Sequence, residues 1–177
     1  MSASTQEPSS PTASYYDIGP DATRDLKLNG SRVHLLVRGR AVSVVNHQGV
    51  LYCMDAVCFH AGGPLTLGDI EDVDAQPCIK CPWHQYLIRL KDGGKLYDSM
   101  VMDKATGKLK PGGWKTMPDL QRTHEVSTGS DGHVYIRIDT SGKEVRSDNY
   151  AHDGRISAAA FGQRLVEVDS EPRVAPP

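Results

Sequence analysis

The chain has 177 residues, a formal net charge of −2 and four cysteines. That length suits one domain with a real core rather than two full ones, and the near balance of charge gives no footprint for a nucleic-acid or anionic-membrane partner. The longest uncharged apolar run, from Ile156 to Phe161, is far too short to cross a bilayer, so no membrane span is expected.

Met1 to Ser14 is rich in Ser, Thr and Pro and lacks Lys and Arg. It carries neither a secretory nor a transit signal, and it reads as a disordered arm with little to bury. Val33 to Met54 reads as a β meander, in which VHLLV, AVSVV and VLYCM are separated by Arg38-Gly39-Arg40 and by Asn46-His47-Gln48-Gly49. Ala56 to Asp74 breaks that alternation and suits an irregular loop. Strand patterns return at Pro77 to Lys80 and Tyr86 to Leu90, with Asp92-Gly93-Gly94 as a turn. Asp103 to Asp119, with its Lys-Pro-Gly-Gly, reads as loop. A last hairpin joins His124–Ser127 to His133–Ile138 around Asp131-Gly132. No amphipathic helix is evident before residue 155, and one short helix is expected over Ile156 to Val168. The sum is an all-β domain over about 15–140, with arms at 1–14 and 141–177.

Four cysteines are too few for a secreted disulfide framework. With no export signal, a reducing, cytoplasmic compartment is expected. Cys58-Phe59-His60 and Cys81-Pro82-Trp83-His84 form C-x-H, twenty residues, then C-x-x-H. Each half offers one thiolate and one imidazole. Two chemistries accept such a set: tetrahedral zinc, or a [2Fe–2S] cluster with two His on one iron. Zinc fingers usually keep two Cys in one half and two His in the other. The mixed halves here favour a cluster whose irons differ, each loop sending its Cys to one iron and its His to the other. A competing set, Cys53, Cys58, Cys78 and Cys81, would make an all-cysteine zinc or iron–sulfur site in a structural or interaction module. The plainer reading places Cys53 and Cys78 as small apolar residues in strands, and a disulfide between them is disfavoured by the inferred compartment.

The stretch from Met54 to Ser99 resembles the Rieske-type [2Fe–2S] ferredoxins, closest to their soluble vertebrate members. The residues that carry the likeness are Met54-Asp55, Cys58-Phe59-His60-Ala61-Gly62-Gly63-Pro64-Leu65, Leu67-Gly68-Asp69-Ile70-Glu71-Asp72, Pro77-Cys78-Ile79, Cys81-Pro82-Trp83-His84 and Leu96-Tyr97. Weaker similarity runs from about residue 20 to Ser147-Asp148-Asn149-Tyr150. The resemblance implies an antiparallel β-sandwich with a small cluster-binding subdomain of two loops, at about 55–99. It implies Cys58 and Cys81 on an inner iron, His60 and His84 on an outer one, and Gly62, Gly63 and Pro64 as a shielding segment. It also implies a one-electron carrier, not an enzyme, between a donor reductase and an acceptor protein such as an oxygenase.

Departures from related branches are informative. Quinol-oxidising relatives carry one extra cysteine per loop, joined as a disulfide, where this chain has Gly63 and Trp83. They carry Ser and Tyr as hydrogen-bond donors to sulfur where this chain has Tyr86 and Ile88. Fewer donors lower the potential, which is expected nearer roughly −150 mV than +300 mV. Many ferredoxins of this family have glycine where Gln85 stands. Trp83 is expected to pack and exclude water, and Tyr86 either to bond near the cluster or to pack in the core. The acidic run Asp69 to Asp74 reads as a solvated loop, with docking of a basic partner as the functional alternative.

Overall fold

The computed structural model describes residues 14–152, 161–162, 165–168, 171–173 and 176. The meander forms as its alternation requires, through β2 (Arg32–Val37), β3 (Arg40–His47) and β4 (Val50–Asp55), with direct antiparallel pairing along both junctions. β3 is central and buried along nearly its whole length. β10 (Thr123–Thr128) pairs with β4 over only Thr123↔Met54 and His124↔Cys53, then with β11 (Val134–Arg137) over the expected hairpin. β1 (Tyr16–Asp17) closes one edge against β11 and β12 (Val166–Glu167) the other against β2, giving a seven-stranded sheet in the order β1-β11-β10-β4-β3-β2-β12.

The second sheet is built from β5 (Ile70–Val73), β6 (Gln76–Lys80), β7 (Leu87–Arg89), β8 (Lys95–Met102) and β9 (Leu109–Met117), in that order. Two of these strands depart from the sequence reading. β5 lies inside the segment expected to be irregular. Its tight turn to β6 is Asp74-Ala75, both at positive φ (51° and 55°), the conformation of a two-residue hairpin without the usual glycine. β9 occupies the stretch read as loop on account of Lys-Pro-Gly-Gly. It is an edge strand, and the pairing slips between Ser99 and Met100, which are the settings that tolerate Pro and Gly in a strand.

Two short helices, α1 (Pro20–Asp25) and α2 (Asp148–Ala151), also escaped the sequence pattern. Most of the helix expected over Ile156 to Val168 lies outside the described residues. At its end, Val166–Glu167 forms β12 instead and pairs with β2, the one parallel junction among the described residues. The N-terminal arm up to residue 13 also lies outside the described residues. No helix among those described is long and apolar enough to cross a membrane.

β4 alternates its side chains between two cores. Cys53 joins Tyr16, Leu35, Val44 and Ile136 on one face, while Met54 joins Cys58, Phe59, Leu65, Ile79, Cys81 and Ile88 on the other. The second core lies directly under the two Cys/His loops. The strand ends on Asp55, which is fully buried. Its carboxylate accepts from Arg40 Nε (2.6 Å) and Nη2 (2.7 Å), from His124 Nε2 (3.1 Å) and from Ser147 Oγ. His124 Nδ1 accepts the N–H of Asp139 (3.1 Å), which leaves the Nε2 proton to donate to Asp55. Asp148 in α2 spans Arg40 (2.5 Å) and Arg122 (2.6 Å), tying the helix to β3 and to the start of β10.

Burial would raise the Asp55 and Asp148 carboxyls. Hydrogen bonds from His124 and Arg40 outweigh it at Asp55, and those from Arg122 and Arg40 at Asp148, so both are held low. His34, half-buried and repelled by Arg32, is pushed down to about 4. All three groups therefore bind fewer protons folded than unfolded in acid. The histidine contribution is complete above about pH 6.5 and lost as pH falls towards 4, and the carboxylate contribution is lost below about pH 4. Urea midpoints should fall continuously from pH 6.5 downwards, and a flat profile between 6.5 and 4 would contradict the assignment for His34. Asp55→Ala should cost about 3–5 kcal/mol because it strips the buried Arg40 guanidinium of a carboxylate and leaves the His124 and Ser147 donors unpaired, whereas Arg137→Ala, breaking an exposed pair with Glu125, should cost less than about 1 kcal/mol.

Candidate metal centre

Cys58 and Cys81 begin two loops with the same hydrogen-bonded turn. In the first, the carbonyl of Cys58 accepts the N–H of Gly62 (2.9 Å) and its N–H donates to the Gly63 carbonyl (2.8 Å). In the second, the Cys81 carbonyl accepts the N–H of Gln85 (2.8 Å) and its N–H donates to the Tyr86 carbonyl (2.9 Å). The fifth residue of each turn is left-handed, Gly62 at φ 69° and Gln85 at φ 58°. That explains why glycine is favoured where Gln85 stands: an L side chain is strained in this conformation. Gln85 offsets part of the strain by donating from Nε2 to the Pro82 carbonyl (3.2 Å).

The two turns face one another. Both cysteines are buried and share a hydrogen bond, which lowers Cys81 to about 6 and raises Cys58. Burial works against the lowering at Cys81, while the N–H groups of Trp83 and His84 support it. The N–H of His60 likewise points at the Cys58 sulfur. Outside the sulfurs, the His60 and His84 rings meet edge to face at 4.5 Å, with Nδ1 atoms 3.2 Å apart. His60 is half-buried and His84 exposed. Of the four sequence-predicted ligands, the structure thus brings Cys58 to Cys81 and His60 to His84, as an inner pair of thiols and an outer pair of imidazoles. No group of three or more metal-binding side chains gathers at one point among the described residues.

Cys53 and Cys78 do not join them. Both are buried thiols raised by burial, Cys78 to about 11, and Cys53 faces the other core. Free cysteine in such surroundings is inert packing.

Several neighbours support the two loops. Gly62, Gly63 and Pro64 are buried, and a Cβ on Gly63 would fall 2.7 Å from the Trp83 ring. Gly63 thus lets the indole lie across the two loops, where quinol-oxidising relatives are expected to carry their disulfide. Trp83 is 54% exposed, so it covers Gly63 on one side and meets solvent on the other. Tyr86 lies just before β7 and stacks parallel to Phe59 (5.8 Å, 7°), with its ring 5.0 Å from His60. Lys95 Nζ sits 3.8 Å above the Tyr86 ring, and Arg146 caps Phe59 at 5.7 Å. Tyr150 donates to the His60 carbonyl (3.3 Å). Lys95, Arg146 and Tyr150 were missed from the sequence because they carry no ligand spacing. The acidic run is partly neutralised: Glu71 pairs with Lys80, and Asp72 meets His47 (3.2 Å) and Gln48 (3.2 Å).

Residues 22–141 match the profile of a family described as soluble Rieske-type ferredoxin. The chain is also 37% identical over 151 residues to a human protein named Rieske domain-containing protein, covering 85% of this chain and 92% of that one. It belongs to the soluble Rieske-type ferredoxin family, whose members are electron carriers rather than catalysts and which implies a [2Fe–2S] cluster. Among solved structures, it overlaps the complex of reduced oxygenase and oxidized ferredoxin in carbazole 1,9a-dioxygenase at 18% identity, with a TM-score of 0.47 over 70% of this chain and 92% of that chain. A second overlap is with a Mycobacterium tuberculosis chain assigned as an NADH-dependent nitrite reductase small subunit, at 15% identity and a TM-score of 0.49, over 67% of this chain and 91% of that one.

The left-handed turn gives a test on the protein's stability. Gln85→Gly should leave stability unchanged or raise it by up to about 1 kcal/mol, whereas the β-branched Gln85→Val should lower it by about 1–2 kcal/mol. Thermal unfolding of the two variants checks this, and equal behaviour would contradict the strain at this position.

Proposed function

We propose that this chain is a soluble one-electron carrier that holds one [2Fe–2S] cluster through Cys58, His60, Cys81 and His84. The observation that carries the reading is the layered convergence of two buried thiols and two outer imidazoles from a matched pair of turns. The donor set fits the group: soft sulfur and neutral imidazole are its ligands, and backbone N–H groups already aim at both sulfurs. When bound, the cluster takes up and releases one electron.

The chain's own residues divide the remaining work. Cys58 and Cys81 anchor the inner side, where Met54, Phe59, Leu65 and Ile88 exclude water. His60 and His84 form the outer side, and the exposure of His84 and Trp83 makes this the face on which a donor or acceptor can dock. Lys95 holds a positive charge above the Tyr86 ring, close enough to act on Cys58, which favours the more negative, reduced state. The functional unit is residues 15–140, with 55–99 carrying the cluster, braced by Arg146 to Tyr150 of the C-terminal extension.

The donor is a reductase and the acceptor a protein such as an oxygenase, both engaged transiently; no nucleic acid or membrane span enters this reading. With Cys53 and Cys78 unbridged, the carrier suits a reducing, cytoplasmic compartment. A zinc module is the weaker reading, because a lone tetrahedral ion needs its donors at one point and these are split into two pairs. The all-cysteine version fails on Cys53, which faces the other core.

Iron and acid-labile sulfide content, with the visible spectrum, tests the assignment across variants. His60→Ala and His84→Ala should lose the cluster, while Cys53→Ala and Cys78→Ala should keep it. Loss confined to the latter pair, or a colourless zinc protein, would overturn the reading. The midpoint potential of the intact protein should lie below zero, since buried Ile88 offers no hydrogen-bond donor to sulfur.

A further inference from the structure

Gln121 lies between β9 and β10, and its side chain is spent on one task. It is 1% exposed. Its Nε2 donates to the carbonyls of Asp55 (2.9 Å) and Val57 (2.7 Å), and its Oε1 accepts the N–H of Phe59 (3.0 Å). Those three residues alternate along the first ligand loop, bracket Cys58 and stop one residue short of His60.

The backbone ladder between β10 and β4 ends at Thr123↔Met54, with one further bond from the Asp55 N–H to the Arg122 carbonyl (3.0 Å). Beyond that point, the amide of Gln121 supplies what a continuing strand would: two donors and one acceptor, in the order the loop presents its carbonyls and its N–H. Only a carboxamide combines these groups. The residue is itself fixed, through its N–H to the Gly93 carbonyl (3.2 Å) and through the neighbouring Arg122 N–H to Ser147 Oγ (2.9 Å).

We propose that Gln121 is a positioning residue for the metal centre: by extending the β4 ladder through its side chain, it holds residues 55–59 so that Cys58 turns inward and His60 outward to meet their partners on the second loop. This rests on the reading of Cys58, His60, Cys81 and His84 as the cluster ligands. The side-chain hydrogen bonds of Gln121 all go to the loop backbone, through which it acts. Removing its amide leaves two carbonyls and an N–H without partners in a site closed to water, so the loop must shift to recover them.

The test uses the full chain as purified. Gln121→Glu keeps the size but offers at most one donor for the two carbonyls, and Gln121→Met keeps the length with no hydrogen-bonding group of that kind, as a second variant should the first fail to fold. The reference is Ile136→Val or Ile136→Ala in the opposite core, whichever matches the stability loss in chemical denaturation. Relative to that reference, the Gln121 variants should lose iron to a chelator on the order of tenfold faster and show an altered visible circular-dichroism spectrum. Hydrogen exchange in the 55–60 segment, read by mass spectrometry, should accelerate by a similar factor while β2 and β3 stay unchanged. Iron loss, spectrum and 55–60 exchange equal to those of the Ile136 reference would overturn the proposal. A wild-type chain with no [2Fe–2S] spectrum would instead defeat the ligand reading, and the exchange of 55–60 would still decide whether Gln121 holds the loop.

Discussion

A buried carboxylate at the end of β4 sets where the sheet stops and the first loop begins. Asp55 has no access to water, so its charge is tolerable only because Arg40, His124 and Ser147 donate to it together. These partners come from β3, from β10 and from the residue before α2, so satisfying one charge fixes three separated segments around the exit of one strand. Asp148, shared by Arg40 and Arg122, extends the arrangement and seats α2, whose Tyr150 then reaches the His60 carbonyl. The loop's origin is thus pinned from below by charge and from the side by hydrogen bonds.

Past Asp55 the chain enters a turn that the protein uses twice. Each cysteine closes the same pair of backbone hydrogen bonds, and the left-handed fifth residue reverses the chain. Because the histidine stands two residues after Cys58 and three after Cys81, matching turns present their rings from different positions, and the rings meet edge to face. Sulfur therefore sits in the apolar core and nitrogen at the surface. This layering suits electron transfer, in which the inner side needs a dry, rigid anchor and the outer side needs an approach for partners.

Much of this was legible in the sequence because it is local. Alternating apolar residues and glycine-bearing turns mark the β2–β4 meander, and the spacing of Cys and His marks the four residues that the two loops present as an inner and an outer pair. Elements were missed where local signals mislead. β5 turns into β6 through Asp74-Ala75 with no glycine, and β9 tolerates Pro111 and its glycines because it is an edge strand beside a bulge. The supports of the site were illegible for another reason. Gln121 meets Phe59 across 62 positions in the chain, and Tyr150 meets His60 across 90, and no spacing rule reaches so far. Gln85 stands out in the sequence only as an unusual residue beside a ligand, and its φ supplies the physical meaning.

The central claim is that two imidazoles from facing loops bind the same iron of a two-iron centre. Pulsed electron paramagnetic resonance of the reduced protein, with histidine labelled by nitrogen-15, reads this directly. Two strongly coupled histidine nitrogens are the predicted result. A paramagnetic cluster with no histidine coupling, or a protein that stays silent after reduction, would contradict it.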